Sequence, residues 1–397
     1  MSDDAFLRIR DLDLRFYTYE GVVEALDRVR LQIKDGETLG VVGETGCGKS
    51  VTGLSELNLI PPPGKIIGGK VLLQKNDQWI NLLRQREAYL QTVRGKDISM
   101  IFQDPKSALN PVYTVRQQIS EAILHHRKEE LCLKLLEDSK NATESLKQGN
   151  LSEHEKAKLR KAVLTKRERQ MLKRMIENPQ GFILRIASRI PVLNRFKHRF
   201  SKEVTKEVVR MLKDMQIPDP DRVAEMYPHE LSGGMAQRVV VAMALSCNPK
   251  LLIADEPTTN LDVTVQLQIL TLIKDLKKKY GMTIQYITHD MGVVAEMCDR
   301  VAVMYAGNVV ELAEVLEIFK NPLHPYTKAL LECIPRPGTL FKSIEGFVPS
   351  LISPPKGCRF NDRCPYAMEK CIREKPEFVT PKKGHQVLCH LYAGESQ

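Results

Sequence analysis

Eight residues offer the plainest chemistry in this chain: Gly43-Glu44-Thr45-Gly46-Cys47-Gly48-Lys49-Ser50 fit G-x-x-x-x-G-K-[ST] at every fixed position. Glycines at those places let backbone N–H groups turn inward and cradle phosphate oxygens. Lys49 then reaches the β- and γ-phosphates, and the Ser50 hydroxyl holds Mg2+. The spacing predicts a helix from about Lys49 through Val51 and beyond, with its positive dipole end toward the same phosphates. Cys47 lies at that helix start, where a thiol's pKa falls, so the expectation is a reactive thiol that bound nucleotide protects.

Other candidates stand at the ends of apolar runs. Leu251-Leu252-Ile253-Ala254 delivers Asp255 and Glu256. Asp255 suits Mg2+ held through water, and Glu256 suits orienting and activating a water. Two adjacent carboxylates buried at a strand end are costly without a cation. Ile98 to Phe102 delivers Gln103, which beside a phosphate site can reach Mg2+ or the attacking water. Thr283 to Thr288 delivers His289, followed by Asp290. Ser232-Gly233-Gly234 open a further helix. Ser232 is a good N-cap, and the glycines permit close backbone approach to an anion. Tyr17 and Tyr19 precede Lys49 by about thirty residues on an expected loop, where an aromatic can stack on an adenine ring. Tyr19 is preferred of the two, and a plain surface tyrosine is the alternative.

Those residues need strands and helices to hold them. Thr38 to Val42 reads as a buried strand running into the phosphate loop. Before it, Leu7–Arg10, Leu12–Phe16 and Val22–Ile33 read as short strands. Pro61-Pro62-Pro63-Gly64 is a rigid exit from the first helix. Gly68–Leu73 and Gln78–Leu82 suggest an antiparallel pair, and residues 84–95 a helix. Residues 104–230 look mainly helical. Within them 128–205 is charged and poor in aromatics, and reads as two or three surface helices broken at Pro179-Gln180-Gly181. Phe182 to Phe200 is a basic amphipathic stretch, read as packed on its neighbour with solvated arginines or else as a membrane or partner contact. A helix over Val263–Lys279 and a hairpin over Val301–Val310 complete the pattern.

With 397 residues and 43% hydrophobic content, two or three structural units and a large core are expected. No run of 18 apolar residues occurs, and Met1-Ser2-Asp3-Asp4 is acidic without an apolar stretch behind it, so neither a spanning helix nor a secretory signal is expected. The expected location is cytoplasmic, with any membrane role peripheral. The formal charge is +10, but residues 127–214 hold 23 Lys+Arg against 12 Asp+Glu, which leaves about −1 elsewhere. The basicity belongs to one segment. Nine cysteines in a cytoplasmic chain argue against a disulfide framework. Cys132, Cys247, Cys298 and Cys333 read as core packing. Cys358, Cys364, Cys371 and Cys389 instead cluster in a polar C-terminal segment too poor in apolar residues to fold on its own core, so a bound metal is expected there. Four thiolates suit tetrahedral zinc or an iron–sulfur cluster. Paired C-x2–4-C knuckles are missing, and the wider, uneven spacing with Pro365 after Cys364 suits a cubane cluster better.

The phosphate loop, Gln103, Leu231–Arg238, Asp255-Glu256, Asn260-Leu261-Asp262 and His289 together resemble the ATP-binding subunit of an ABC transporter, over about 1–127 and 206–397. Ile101-Phe102-Gln103-Asp104-Pro105 with Leu109-Asn110-Pro111, Tyr227-Pro228-His229-Glu230-Leu231, Met235, Ala254 to Gln266 and Asn321–Thr327 resemble its oligopeptide/dipeptide importer branch. Departures are small: Thr45 and Cys47 where serines are commoner, Asn260 where alanine is, and the 128–205 insertion. The resemblance implies an α/β fold, with an ABC-type P-loop core and an antiparallel β subdomain. A helical subdomain over about 104–230 carries the basic insertion, and a Cys-rich metal-binding extension occupies 321–397 beyond a nucleotide-binding domain of 1–320.

The resemblance also implies ATP hydrolysis coupled to peptide uptake. Tyr19 and residues 43–51 would bind ATP, and Ser50, Gln103 and Asp255 would serve Mg2+. Glu256 would polarise water, Gln103 and His289 would sense the γ-phosphate, and Ser232, Gly233 and Gly234 would serve the nucleotide of a second, related ATPase. Two membrane permeases and an extracytoplasmic peptide-binding protein complete the implied complex at the cytoplasmic face of the membrane. The cysteine tail is implied to hold a [4Fe–4S] cluster, with Zn2+ as the alternative. A soluble ABC ATPase acting on DNA is the competing class, since such proteins also carry insertions. The basic insertion favours it slightly, the importer motifs oppose it, and no nucleic-acid partner is expected.

Overall fold

The computed structural model describes residues 4–147, 152–177, 191–259, 261–334 and 343–394. The chain divides into two compact units, one of Met1–Asp104 with Asn248–Gln397 and one of Pro105–Cys247.

The first unit begins with β1 (Ala5–Thr18), β2 (Gly21–Lys34) and β3 (Thr38–Val42), then α1 (Lys49–Glu56), β4 (Gly64–Lys75), β5 (Gln78–Asn81), α2 (Glu87–Val93) and β6 (Ile98–Ile101). The separate strands expected over Leu7–Arg10 and Leu12–Phe16 are one strand. Asp11 takes a left-handed φ of 49°, which a short polar side chain tolerates. The strand therefore bulges there without ending, and its pairing with β2 shifts register between Ile9 and Leu12. β2, β1, β4 and β5 form an antiparallel sheet in that order.

The second unit is helical: α3 (Pro105–Ala108), α4 (Val115–His126), α5 (Lys128–Lys147), α6 (Glu153–Ala162), α7 (Lys166–Glu177), α8 (Pro191–Asp214), α9 (Pro220–Glu225) and α10 (Gly233–Leu245). Thr114 and Gln117 cap α4 reciprocally, as T-x-x-Q before an apolar run should. The basic insertion is more than a set of surface helices. α5 and α7, with Leu164 from the link between α6 and α7, close on a small core around Cys132, Leu164, Leu172 and Met175, and the Leu164 N–H donates to the buried Ser139 hydroxyl at 2.8 Å. α8 runs through the expected boundary at 205, and Lys134 of α5 pairs with its Glu203 and Glu207 at 3.0 and 3.1 Å. Residues 178–190, which hold the expected break and the first nine residues of the basic amphipathic stretch, lie outside the described residues.

The chain then returns to the first unit as β7 (Leu251–Asp255), α11 (Val263–Tyr280), β8 (Thr283–Thr288), α12 (Met291–Met297), β9 (Arg300–Tyr305), β10 (Asn308–Glu314), α13 (Val315–Lys320), α14 (Pro325–Glu332), α15 (Glu369–Arg373), β11 (Phe378–Lys382) and β12 (His385–Leu388). These join β3 and β6 in a sheet ordered β11-β12-β10-β9-β3-β8-β7-β6. Pairing is parallel from β9 through β3, β8 and β7 to β6. β3, β7 and β8 are buried along their whole length, which is why their sequences read as unbroken rather than alternating apolar runs. Their register decides where the chemistry goes. Val42 lies opposite Thr288, Asp255 opposite Ile287 and Ile101 opposite Ala254, so the residues after these strands emerge at one carboxyl edge.

One buried group runs against this economy. Glu56 ends α1 with its side chain fully buried, and neither oxygen makes a hydrogen bond of good geometry. Gln285 of β8, also buried, is the polar group that interacts with it. Burial pushes the Glu56 carboxyl up to about 8 from an ordinary 4.5, so the folded protein holds it neutral. The unfolded chain gives up this proton near 4.5 and the folded chain near 8. Stability from the group is therefore complete below about 4.5 and is lost as pH rises toward 8, by up to about 1.4 kcal/mol per pH unit. Glu56→Gln is expected to remove that slope. Melting curves between pH 5 and 9 should show the variant gaining on the parent as pH rises, and parallel curves would contradict the assignment.

Candidate active site

The phosphate loop leaves β3 and enters α1 through glycines that nothing larger can replace. Gly43 has φ 154°, and a Cβ there would lie 2.1 Å from the Met304 carbonyl oxygen. Gly48 has φ 102°, and a Cβ would meet Leu26 at 2.8 Å. Lys49 is 6% exposed, and its Nζ donates to the carbonyls of Gly43 and Glu44 at 2.8 and 3.0 Å, which curls the loop around the ammonium. The Ser50 hydroxyl donates to Asp255 Oδ1 at 3.0 Å, so the first turn of α1 and the end of β7 present a hydroxyl and a carboxylate at one point. Burial, with the neighbouring Glu256 charge, raises the Asp255 pKa, although the Ser50 hydrogen bond pulls the other way. A cation at this point relieves both unfavourable contributions, and these two donors are the residues that fit Mg2+.

Glu256 is the hub of the site. It follows β7 with φ 43°, and its N–H donates to the Ile287 carbonyl at 2.9 Å, which fixes it against β8. Its Oε1 meets His289 Nδ1 at 3.1 Å, while Oε2 accepts from Gln103 Nε2 at 3.2 Å and from Thr259 Oγ1 at 3.0 Å. Burial alone would raise its pKa. The His289 hydrogen bond and charge, the Thr259 hydroxyl and the field of Lys49 together outweigh that and hold the carboxyl below the ordinary range. The result is an ionised carboxylate with oriented oxygens, which is what a base toward water needs. Gln103, exposed after β6, is thus tied to Glu256.

Three further expectations meet mixed outcomes. Ser232 caps α10 as expected, its hydroxyl accepting from the Met235 N–H at 3.3 Å, and it stands exposed with Gly233 at the helix start in the second unit. Tyr19 lies fully exposed in the two-residue turn between β1 and β2. Tyr17 is half-exposed with Lys65 over its ring at 5.5 Å. Cys47 is not the exposed, acidified thiol expected of a helix start. It is buried, and desolvation raises its pKa against the opposing charge of Lys49. Its sulfur is shut beneath the loop, where even a Cβ on Gly43 would lie 2.8 Å from it. Asn260 lies outside the described residues.

Sequence reasoning missed Thr259, whose bond to Glu256 no pattern announced, and it missed how Glu44 is used. The Glu44 carboxylate turns toward Arg363, and its N–H donates to the Tyr326 hydroxyl, so neither group faces the phosphate cradle. The four C-terminal cysteines do gather. Cys371 and Cys389 are buried and Cys358 and Cys364 half-buried, and the Cys358 N–H donates to the Cys371 carbonyl at 2.7 Å. Burial, with the charge of the other thiols, pushes Cys358 up to about 12 and Cys389 up to about 11. Among the described residues, no group of three or more His, Cys, Asp or Glu side chains is arranged to hold a metal ion. No described helix is long and apolar enough to cross a membrane.

A phosphate loop after β3, a histidine after the neighbouring parallel strand β8 and a glutamate after β7 beyond it define an ABC-type cassette. Solved structures share that fold. The dimeric ATP-binding cassette MJ0796 in a post-hydrolysis state bound to ADP and Pi matches with a TM-score of 0.51 and 23% identity, over 78% of this chain and 98% of that one. cbiO1 from Clostridium perfringens, part of the cbiONQ complex, matches with a TM-score of 0.51 and 24% identity, over 80% and 92%.

The family model for ABC transporters matches residues 26–259, and that for the oligopeptide/dipeptide transporter C-terminal region matches residues 310–371. A probable peptide ABC transporter ATP-binding protein of Sinorhizobium fredii is 41% identical over 97% of this chain and 95% of its own length. Dipeptide transport ATP-binding proteins DppD are 39% identical in Bacillus subtilis, over 97% and 94%, and 36% in Escherichia coli, over 97% and 96%. The chain belongs to the ABC transporter family, in its branch of peptide-transport ATP-binding proteins. The DNA-acting alternative finds no support among these relatives.

Proposed function

We propose that this chain is the ATP-hydrolysing subunit of an importer for oligopeptides or dipeptides, peripheral to the cytoplasmic face of the membrane. The observation that carries the reading is the glutamate-centred constellation: Glu256 held by His289, Gln103 and Thr259 beside the Ser50–Asp255 point. Lys49 and the loop amides bind the phosphates, Ser50 and Asp255 hold Mg2+, and Glu256 takes the proton of the attacking water. Tyr19 offers its ring to adenine. The Ser232-Gly233-Gly234 start of α10, exposed at Ser232 and Gly233, serves ATP held by a second ABC ATPase, which is a different chain. Two permeases and an extracytoplasmic peptide-binding protein supply the path and the substrate. The nucleotide domain extends to about 320, and the rest is the family's C-terminal extension.

The cysteine segment in this reading holds a structural [4Fe–4S] cluster through Cys358, Cys364, Cys371 and Cys389. What supports it is that Cys364, Cys371 and Cys389 all lie near enough to Cys358 for their charges to raise its pKa, which brings four thiols together. One experiment tests the assembly and the cluster. The tagged chain is purified anaerobically from membranes of its own host, with its partners identified and its iron, sulfide and zinc measured. Two permeases, a second ATPase and about four irons per chain are expected. Absence of permeases overturns the importer reading, and one zinc per colourless chain overturns the cluster.

A further inference from the structure

Two arginines of the C-terminal segment have no part in the chemistry above. Arg359 follows Cys358 and Arg363 precedes Cys364, so both lie in the first interval between the clustered cysteines. Arg363 has a side chain only 4% exposed and forks onto Glu44 of the phosphate loop, Nη1 to Oε2 at 2.9 Å and Nη2 to Oε1 at 3.1 Å. Its other donors are satisfied as well, with Nε on the Glu345 carbonyl at 3.0 Å and Nη1 near the Tyr305 hydroxyl at 3.3 Å. The Glu44 N–H donates to the hydroxyl of Tyr326 at 3.0 Å. Tyr326 is buried, its ring tilted against Tyr305 and edge-on to Phe360. One loop residue is thus gripped at its carboxylate and at its amide, both times from the C-terminal region.

A second route reaches the other end of the loop. Arg359 Nη1 donates to the Ala306 carbonyl, and the next residue, Gly307, donates its N–H to the Cys47 carbonyl at 2.9 Å. Glu44 and Cys47 bracket Thr45 and Gly46, the turn of the cradle. The motif around Tyr326 is itself pinned from below. The buried carboxylate of Glu311 accepts the N–H groups of Leu323 and His324 at 2.7 and 2.9 Å and meets His385 of β12 at 2.7 Å.

A glycine-rich loop left free must be ordered when it closes on phosphates, at a cost in chain entropy. A loop already held avoids part of that cost. We propose that Arg363 is a positioning residue for the nucleotide: by clamping Glu44 it keeps the phosphate loop in its binding shape, and so makes ATP affinity depend on the cysteine-bearing segment. The proposal rests on the nucleotide reading of the site. A planar guanidinium fork is the group that matches a carboxylate in this way, and a lysine ammonium is a poor substitute.

The test is calorimetry of MgATP with the full chain and its Arg363→Ala, Arg363→Lys, Glu44→Gln and Arg363→Ala/Glu44→Gln variants, with melting curves alongside. Arg363→Ala is expected to weaken ATP binding about tenfold, equivalent to about 1.4 kcal/mol. Glu44→Gln should weaken it comparably, the double variant no further, and Arg363→Lys should fall between. In turnover, KM should rise while kcat at saturating ATP stays within about twofold. A parent chain that does not bind MgATP removes the nucleotide reading. A parent that binds tightly beside a folded Arg363→Ala chain of equal affinity overturns the clamp, as do additive effects in the double variant. If Arg363→Ala fails to fold, Glu44→Gln reads the same contact from its more exposed end, and unchanged affinity there also overturns the proposal.

Discussion

Glu256→Gln is expected to lower ATP hydrolysis at this site by about 10²- to 10⁴-fold, the usual contribution of a positioned base. Affinity for MgATP should change by no more than a few-fold. The substitution keeps the shape of the side chain and leaves its carbonyl oxygen available to Thr259, but it removes the charge that receives the proton. Several observations make the effect specific to the water step. The carboxylate is held by His289 at 3.1 Å, Gln103 at 3.2 Å and Thr259 at 3.0 Å, so its oxygens are aimed rather than free to rotate. Its left-handed backbone is tied to β8, so the group does not swing into the loop. Lys49 and Ser50 remain to hold phosphate and metal. Single-turnover hydrolysis, with nucleotide occupancy measured in parallel, is the check. Hydrolysis within about tenfold of the parent would mean that another group activates the water.

The sequence made the inner site readable because each piece of it is local. An apolar run of five or six residues is a buried strand, and the polar residue after it stands at the sheet's edge; Gln103, Glu256 and His289 all follow that rule. Ser232 was legible for the same reason, since an N-cap is decided within four residues. What stayed hidden depends on distant packing. Cys47 looked acidic because the local dipole says so, but tertiary burial outweighs a helix end. Glu44 and Arg363 are 319 positions apart, and nothing near either residue names the other. The insertion looked like solvated helices because its charge density masks a few apolar residues, yet Cys132, Leu164, Leu172 and Met175 are enough to build a small core between α5 and α7. Glu56 was passed over because a single glutamate late in a helix ordinarily faces water.

Lys49→Ala should act one step earlier than Glu256→Gln, and the contrast between them separates binding from chemistry. The Lys49 ammonium is buried in the mouth of the loop, where two carbonyls hold it at 2.8 and 3.0 Å and Cys47 Sγ lies 3.9 Å away. In the proposed site this ammonium is the cation that would meet the triphosphate's charge. Removing one partner of a close, desolvated charge pair costs about 2–5 kcal/mol. MgATP affinity should therefore fall about 30-fold or more. The Gly43 and Glu44 carbonyls also lose their shared donor. Arg363 and Tyr326 still hold Glu44 from outside, so the loop should keep its place and the melting temperature should fall only slightly. Hydrolysis is lost in both variants for different reasons. Glu256→Gln should retain ATP at its site, while Lys49→Ala should fail to acquire it at concentrations that saturate the parent. Calorimetry gives the answer directly: a Lys49→Ala chain that binds MgATP within about threefold of the parent would place the main phosphate contact elsewhere in the loop.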